Sequence, residues 1–326
     1  MIGTQRSGSN LLRVMLDGIE QIVAPHPPHI LQRFLPLLPK YGDLLEPANF
    51  RRLAEDVCEL VRVNPVPWEG IRICTEEVLK ACRQQTLYEL FRVIYETAAR
   101  QTGASLWLCK SMKNVLYAAE IESTGIRPYY VYLYRDGRDV ALSFKKAIVG
   151  EKHMYALAQN WRKDQEAALR LKDCTPEDHF FMLNYENLIA RPEEMMRSLC
   201  AFLHVPYSEK VMEYYKSRES TNTAVAGKMW SNVMKPILKD NTNKFLRELS
   251  SEDITIFESV AGDVLQRLGY SLCTPPDQLR NYTDREIAYF NEENIRLKQA
   301  FIRQADPEDL EKRRLQDELL NRIKQY

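Results

Sequence analysis

The chain has 326 residues, and its 45 Lys and Arg residues balance 45 Asp and Glu residues, so the formal net charge is zero. Without a general positive field the chain is not expected to bind nucleic acid or an acidic membrane surface, and any anion site must be local. A hydrophobic content of 45% is enough for a large core, whereas no apolar run approaches the ~20 residues of a membrane span. Seven cysteines without paired or metal-ligand spacing predict reduced thiols, a cytoplasmic protein and no metal site.

Strands and helices are predicted to alternate along the chain. Short aromatic or β-branched runs predict strands that end at Ile2–Gly3 and cover 105–109, 129–134 and 179–183. Helical spacing of apolar residues predicts helices that begin at Ser9 or Asn10 and at Asp139, and others over 49–63, 76–101, 154–172, 192–203 and 252–268. Six prolines between residues 24 and 47 predict a loop broken by short helical turns. Because no hairpin turn joins the strands, we expect an α/β fold, a three-layer parallel sheet flanked by helices.

The composition changes near residue 282. From there to the end, Glu, Arg, Lys and Asn are frequent and apolar residues are sparse. We expect residues 1–275 to form the α/β domain and residues 276–326 to form a charged helical extension. This extension is expected to pack on the same domain, and its charged helices leave room for a homodimer.

Residues 3–10, with the sequence G-T-Q-R-S-G-S-N, carry the first site prediction. A strand, a glycine-containing turn and a helix start direct backbone N–H groups and the helix dipole at one point, which favours a terminal phosphate. A Walker A loop would need Lys at position 9 and Ser or Thr at position 10, so a nucleoside triphosphatase is disfavoured. An ordinary capped turn is the structural alternative. The candidate phosphate ligands are Gln5, Arg6, Ser7, Gly8, Ser9 and Asn10.

A second candidate phosphate element follows the predicted strand over 129–134. Arg135 lies at the carboxyl end of that strand, where open α/β sheets bind ligands, and Ser143 lies eight residues further on. The planar guanidinium of Arg135 suits a phosphate. The alternative is that Arg135 and Arg138 pair with neighbouring aspartates on a surface turn. Two separate phosphate sites on one sheet imply a ligand with two separated phosphates.

The segments T-Q-R-S-G-S-N-L-L and Y-R-D-G-R-D-V-A-L-S-F, in this order, resemble the PAPS-dependent sulfotransferase family of the bacterial type, which has a fold like that of P-loop nucleoside triphosphate hydrolases. The segments N-Y-E-N-L, N-T-N-K-F and L-G-Y extend the resemblance over about residues 2–270. In that family the first loop binds the 5′-phosphosulfate of PAPS (3′-phosphoadenosine 5′-phosphosulfate), and the Arg and Ser pair binds the 3′-phosphate. By the resemblance, further nucleotide contacts come from Tyr185, Asn243, Lys244 and Phe245.

Two departures from the family pattern concern the late loop, which is the segment N-T-N-K-F at residues 241–245. It lacks the full glycine-rich sequence, and Phe245 stands where a tryptophan is usual. Lys228 is an alternative to the late loop as a ligand for the 3′-phosphate.

Sulfuryl transfer builds negative charge on the departing 5′-phosphate, which Arg6 and the helix N-terminus suit without a metal. By the resemblance, Lys110 approaches the transferred group.

The acceptor must lose a proton to a base. Many family members use a histidine two residues after this lysine, where the chain has Met112. Other branches place the base in the loop after the first helix, so we expect His29 as the base, with His26 second; the alternative is that each satisfies loop carbonyls.

The expected function is sulfuryl transfer from PAPS to a hydroxyl of a small-molecule or lipid-like acceptor, an alcohol or phenol, because residues 25–70 are apolar and aromatic. A carbohydrate acceptor is the variant, which would need an open cleft lined by Arg and Lys. Two further candidate functions are a nucleotide kinase on the same fold and a non-catalytic nucleotide-binding module.

Overall fold

The computed structural model describes residues 1–304 and 306–326. The strands of this part of the chain are β1 (Ile2–Gly3), β2 (Ile22–Val23), β3 (Leu106–Trp107), β4 (Tyr130–Tyr134) and β5 (Phe180–Asn184). All of their pairings are parallel, in the sets β1-β4-β5 and β2-β3. The amino group of Met1 donates to the carbonyl of Cys109 over 3.0 Å, so the segment after β3 lies beside the start of β1. The predicted parallel sheet is confirmed; β2 is not predicted, because two residues cannot establish a strand pattern.

The helices lie between and around these strands. The α-helices are α1 (Ser9–Asp17), α2 (Ile30–Phe34), α3 (Pro47–Arg62), α4 (Thr75–Ala81), α5 (Leu87–Thr102), α6 (Ala118–Glu122), α7 (Gly137–Lys145), α8 (Met154–Cys174), α9 (Tyr185–Ala190), α10 (Pro192–Phe202), α11 (Arg218–Val225), α12 (Phe245–Glu248), α13 (Ser251–Arg267), α14 (Asp284–Arg303), α15 (Pro307–Glu311) and α16 (Arg314–Ile323). Short 3-10 helices cover Leu35–Tyr41, Met112–Tyr117, Glu177–His179, Glu209–Lys216, Lys228–Met234 and Pro276–Gln278.

The prediction of one helix over 76–101 is wrong, because α4 and α5 are separate there. The hydroxyl of Thr86 accepts from the backbone N–H of Glu89 over 3.1 Å and so caps the start of α5. A capping threonine favours a new helix start over continuation of the preceding helix.

The side chains of β4 alternate between two buried clusters on opposite faces of the sheet. Val131 and Leu133 join a cluster that includes Leu12 of α1. Tyr132 packs in a second cluster with Trp161 of α8. Helices therefore cover both faces, and the three-layer α/β architecture is confirmed. A third cluster surrounds α3 and α5.

Beyond residue 275 the chain continues as α14, α15 and α16. Helix α14 packs against α8, and α16 packs against α3, where Leu319 and Ile323 enter the third buried cluster. Among the described helices, none combines the length and the apolar composition needed to cross a bilayer.

Candidate active site

The loop between β1 and α1 is curled by two residues with positive φ angles, Arg6 at 70° and Gly8 at 86°. Such a turn before a helix N-terminus gathers backbone N–H groups that can bind an anion. A Cβ atom at position 8 would lie 2.4 Å from the ring of Tyr185, so both the φ angle and the close approach require glycine. The loop therefore has the local geometry expected of a phosphate site.

Hydrogen bonds join this loop to the second predicted phosphate element. Arg6 donates from Nε to Oγ of Ser143 over 3.0 Å. Arg135 donates from one terminal nitrogen to the carbonyl of Arg6 over 3.2 Å and from the other to the carbonyl of Asn241 over 2.8 Å. The structure thus brings together three segments that are far apart in the sequence, at the carboxyl ends of β1 and β4.

The late loop contacts this cluster through Asn241, which sequence reasoning did not select as a ligand. Its amide donates to the hydroxyl of Tyr185 over 2.7 Å, and the guanidinium of Arg135 lies 4.6 Å from the centre of the Tyr185 ring. Phe245 is buried; its N–H donates to Asp139 over 2.9 Å, and its ring lies against Arg138. Phe245 therefore anchors the late loop.

Arg138, unlike Arg135, is held by carboxylates inside the protein. It is buried and forms ion pairs with Asp136 at 2.7 Å and Glu258 at 2.5 Å. The carboxylate nearest to Arg135 is that of Asp139, at 3.5 Å. The alternative prediction, in which the arginines of this turn pair with neighbouring aspartates, therefore describes Arg138 well. Arg135 mainly bridges the loop after β1 and the late loop.

A cleft of about 790 Å³ opens beside these residues. Ser7, His26, Asn243 and Phe245 are not among the residues that line it, whereas the rival Lys228 is. The predicted site residues that do line the cleft are Gln5, Arg6, Gly8, Ser9, Asn10, His29, Lys110, Arg135, Ser143, Tyr185 and Lys244.

The predicted phosphate end of this cleft is cationic and holds polar atoms without protein partners. Burial and the neighbouring Arg135 lower the pKa of Arg6 to about 10, so Arg6 remains charged near neutral pH. Among the described residues, Arg135 Nε in the cleft and Ser7 Oγ in the adjoining loop are buried and have no hydrogen-bond partner. Buried donors are normally satisfied, and phosphate oxygens would accept from them. The residues present therefore fit a ligand that carries phosphate groups.

Lys110 lies in the cleft with only 5% of its surface exposed. Burial, with smaller contributions from Arg13 and Arg6, lowers its pKa to about 7. Met112, at the position where a histidine base would stand, is buried in the core and packs near Gly3. The segment after β3 thus contributes Lys110 to the cleft as a buried titratable side chain.

The two candidate histidines have different surroundings. His29 lines the cleft, has a φ angle of 60°, and its Nδ1 has no partner among the described residues. Burial and then the charge of Lys110 hold the pKa of His29 well below its usual range, so the imidazole is neutral near pH 7. His26 is buried, and its carbonyl accepts from Trp68 over 2.8 Å and from Asn64 over 3.0 Å.

Two polar networks, one behind the cleft and one in its lining, were missed by sequence reasoning. Arg13, on the buried side of α1, donates to the carbonyl of Ala24 over 2.8 Å and to Glu219 over 2.5 Å. Asp164 accepts from Thr4 over 3.0 Å and from Lys113 over 2.5 Å. A sequence signal existed for Arg13, since a charge flanked by apolar helix positions requires a buried partner.

Within the described part of the chain, no three His, Cys, Asp or Glu side chains are grouped closely enough to hold one metal ion. Lys228 lines the cleft and forms an ion pair with Asp306.

Comparison with known proteins identifies the class. A profile described as "Sulfotransferase family" matches residues 1–209, and the chain belongs to this family. A protein-tyrosine sulfotransferase of Drosophila melanogaster is 25% identical over 288 residues, which are 84% of this chain and 52% of that protein. Protein-tyrosine sulfotransferase A of Caenorhabditis elegans is 22% identical over 274 residues, 82% of this chain and 66% of that protein. The chain thus spans about half the length of the Drosophila relative.

Two solved structures have the same fold. The sulfotransferase domain of the Synechococcus PCC 7002 olefin synthase is 20% identical with a TM-score of 0.53, over 80% of this chain and 92% of that one. The sulfotransferase domain from the curacin biosynthetic pathway is 19% identical with a TM-score of 0.53, over 83% of this chain and 96% of that one.

Proposed function

We propose that this protein transfers a sulfuryl group from PAPS to a hydroxyl of a small-molecule or lipid-like acceptor and releases PAP (3′-phosphoadenosine 5′-phosphate). One observation carries the proposal: the bond from Arg6 to Ser143 joins the two anion-binding elements at a cleft that Lys110 and His29 also line. Membership of the sulfotransferase family supports sulfuryl transfer in general. The presence of two such elements at one cleft supports PAPS as the donor, because PAPS carries phosphates at two positions of its ribose.

The donor would lie across the predicted phosphate end of the cleft. We assign the 5′-phosphosulfate to the loop residues 5–10 and the 3′-phosphate to Arg135 and Ser143. Tyr185 and the late-loop residues Asn243, Lys244 and Phe245 would hold the rest of the nucleotide, Phe245 by anchoring the loop. Charge that develops on the departing 5′-phosphate would be stabilised by Arg6 and by the N-terminus of α1.

In the transfer step the acceptor oxygen forms a bond to sulfur while the bond from sulfur to the phosphate oxygen breaks. The electron pair of the broken bond leaves with PAP. We assign the acceptor proton to His29, whose imidazole is neutral and lines the cleft. His26 is the second candidate, and Lys110 would contact the sulfuryl oxygens.

An apolar wall supports a lipid-like acceptor. It is formed by lining residues of α1 and of the segment 229–238, namely Leu11, Met229, Trp230, Val233, Pro236, Ile237 and Leu238. Several cations that also line the cleft are paired with carboxylates: Lys113 with Asp164, Lys146 with Glu248 and Lys228 with Asp306. An apolar wall favours burial of hydrocarbon over a sugar surface. Carbohydrates remain the variant, because the cleft also contains many Arg and Lys side chains.

The donor is tested by calorimetric titration with PAP, adenosine 5′-phosphate and Mg²⁺-ATP. We expect PAP to bind much more tightly than adenosine 5′-phosphate, because only PAP reaches Arg135 and Ser143 with a second phosphate. Turnover of Mg²⁺-ATP with phosphoryl transfer would support the nucleotide kinase instead. Equal affinities for PAP and adenosine 5′-phosphate would contradict the two-phosphate assignment.

The acceptor is tested with a panel of hydroxylated lipids, simple phenols, a tyrosine peptide and oligosaccharides, each incubated with radiolabelled PAPS. The peptide is included because the relatives in Drosophila melanogaster and Caenorhabditis elegans are named protein-tyrosine sulfotransferases. Labelled product from the lipids or small phenols supports the proposal. Product from oligosaccharides or the peptide alone contradicts the acceptor class, and PAP binding without any product supports a non-catalytic module.

A further inference from the structure

Gln316 is a buried amide on α16, in the part of the chain that lies beyond the matched sulfotransferase residues 1–209. Its Oε1 accepts from the guanidinium of Arg33 over 2.8 Å. Its Nε2 donates to Oδ1 of Asn64 over 3.1 Å and to the carbonyl of Leu60 over 3.4 Å. Both ends of this side-chain amide are therefore used, which fixes its orientation.

The two residues that Gln316 contacts through their side chains, Asn64 and Arg33, are bonded to the two ends of the histidine segment, residues 26–33: Asn64 by its side chain and Arg33 by its backbone. Asn64 donates from Nδ2 to the carbonyl of His26 over 3.0 Å and to the carbonyl of Val66 over 2.7 Å. The backbone N–H of Arg33 donates to the carbonyl of His29 over 3.0 Å. One amide on α16 is thus connected through Asn64 to His26 and through Arg33 to His29.

Helix α16 is firmly attached at this place. Leu319 and Ile323 lie in the buried cluster around α3 and α5. Arg322 forms an ion pair with the buried Asp56 at 2.8 Å. Arg313, just before α16, lines the cleft with its guanidinium 5.3 Å from the ring of Trp230. The residue that leads into the C-terminal helix therefore contributes to the wall of the cleft that His29 also lines.

We infer that Gln316 is a positioning residue for the acceptor side of the site, acting on His29 and His26 through Arg33 and Asn64. The inference rests on the proposed function, because it takes His29 as the group that receives the acceptor proton. It assigns to the C-terminal extension a role in acceptor turnover that is separate from donor binding. Arg6, Arg135 and Ser143, which are assigned to the donor, have no hydrogen bond to Gln316 among the described contacts.

The test compares Gln316→Met, which keeps the length of the side chain but removes both hydrogen-bonding ends, with Glu318→Gln. Glu318 lies on the exposed side of the same helix and pairs with Arg314, so it is the matched control. For Gln316→Met we expect kcat/KM for the acceptor to fall by about tenfold to a hundredfold, as small displacements of a catalytic group do. The dissociation constant of PAP should stay within about twofold of the wild-type value, and Glu318→Gln should behave as wild type.

A second measurement does not depend on activity. In the imidazole NMR spectra, Gln316→Met should shift the resonances of His26 and His29 and leave those of His153 and His179 unchanged, whereas Glu318→Gln should shift none. The inference is overturned if the resonances of His26 and His29 stay in place, or if an active Gln316→Met variant keeps wild-type acceptor kinetics. It is also overturned if PAP affinity falls as much as acceptor turnover. If the wild-type protein transfers no sulfuryl group and the NMR shifts occur as expected, the proposed function is refuted. The contact by which Gln316 positions the two histidines is then still supported.

Discussion

Arg6 and Ser143 are 137 positions apart in the sequence, and the Nε of Arg6 donates to the Oγ of Ser143 over 3.0 Å. The first residue belongs to the loop after β1 and the second to α7, so this bond joins the two elements that we propose bind anions. Arg135 adds a second connection by donating to the carbonyl of Arg6 over 3.2 Å. The relative position of the two elements that we assign to the phosphates of PAPS is therefore set by contacts within the protein itself.

Replacing Arg135 should weaken the binding of PAP selectively. Arg135→Ala removes the guanidinium assigned to the 3′-phosphate and its bonds to the loops at Arg6 and Asn241. We expect a loss of about 2–5 kcal/mol in PAP binding, as for a removed charged partner, with a much smaller loss for adenosine 5′-phosphate. Calorimetry with both nucleotides checks this, and equal losses for the two would contradict the assignment.

Arg138→Ala is the neighbouring control for that experiment. It leaves Asp136 and Glu258 buried without their cation, so it should cost about 3–5 kcal/mol in the free energy of unfolding. Denaturant titration measures this loss. We expect Arg138→Ala to lower PAP binding only under conditions in which it also unfolds the protein. That result would show that Arg138 supports stability, whereas Arg135 acts on the nucleotide.

Gly8→Ala should disrupt the phosphate loop. The new Cβ would lie 2.4 Å from the ring of Tyr185, and the φ angle of 86° disfavours any other residue by about 1–2 kcal/mol. We expect weaker PAP binding and a lower melting temperature. Gly103→Ala is matched in backbone strain, since its φ angle is 72° and nothing lies within 4 Å of the added Cβ. Equal PAP affinity in the two variants would speak against the loop as the phosphate site.

Lys110 should make donor binding depend on pH near neutrality. Its pKa in the free protein is lowered to about 7 by burial, so it is charged below that pH and neutral above it. Because the charge of Lys110 attracts the anionic phosphates of PAP even without a sulfuryl group, PAP affinity should fall as pH rises through about 7, and binding above pH 7 should take up a proton. Calorimetry in buffers of different ionisation enthalpy measures that proton. In Lys110→Arg, which stays charged, the proton uptake should disappear; uptake that persists unchanged would assign the proton to another group.

His29 should control the rate of transfer and not the affinity for PAP. His29→Ala should lower kcat by about 10²–10⁴, the usual contribution of a positioned base. Because the pKa of His29 is held well below its usual range, the acidic limb of the kcat/KM profile should lie below about pH 6.5. His26→Ala, which changes a buried ring, should mainly lower stability. Full turnover by His29→Ala would remove His29 from the role of base.

The sequence was sufficient to predict the parallel sheet, because the aromatic and β-branched run over 129–134 and the loop over 3–10 have strong local patterns. The family was also predictable, from the order and spacing of its motifs. The break between α4 and α5 was missed because a cap at Thr86 is a weaker signal than the continuing apolar spacing. The very short β2 left no pattern to read.

The contacts that assemble the site could not be read from the sequence. Arg135 and Asn241, or Gln316 and Asn64, meet only because of tertiary packing, and neither pair has a local spacing rule. Phe245 illustrates the limit of transferring a motif: its backbone anchors the late loop while its ring lies against Arg138. The difference between His26 and His29 likewise depends on which of two nearby side chains lines the cleft.

The most direct measurement of the proposed activity is the appearance of sulfated acceptor and PAP from PAPS, followed by mass spectrometry with a hydroxylated lipid as acceptor. We expect equal amounts of both products with wild-type protein, and strongly reduced rates with Arg6→Ala and His29→Ala. Release of PAP in the absence of sulfated acceptor, or undiminished transfer by Arg6→Ala, would contradict sulfuryl transfer at the cleft between Arg6 and His29.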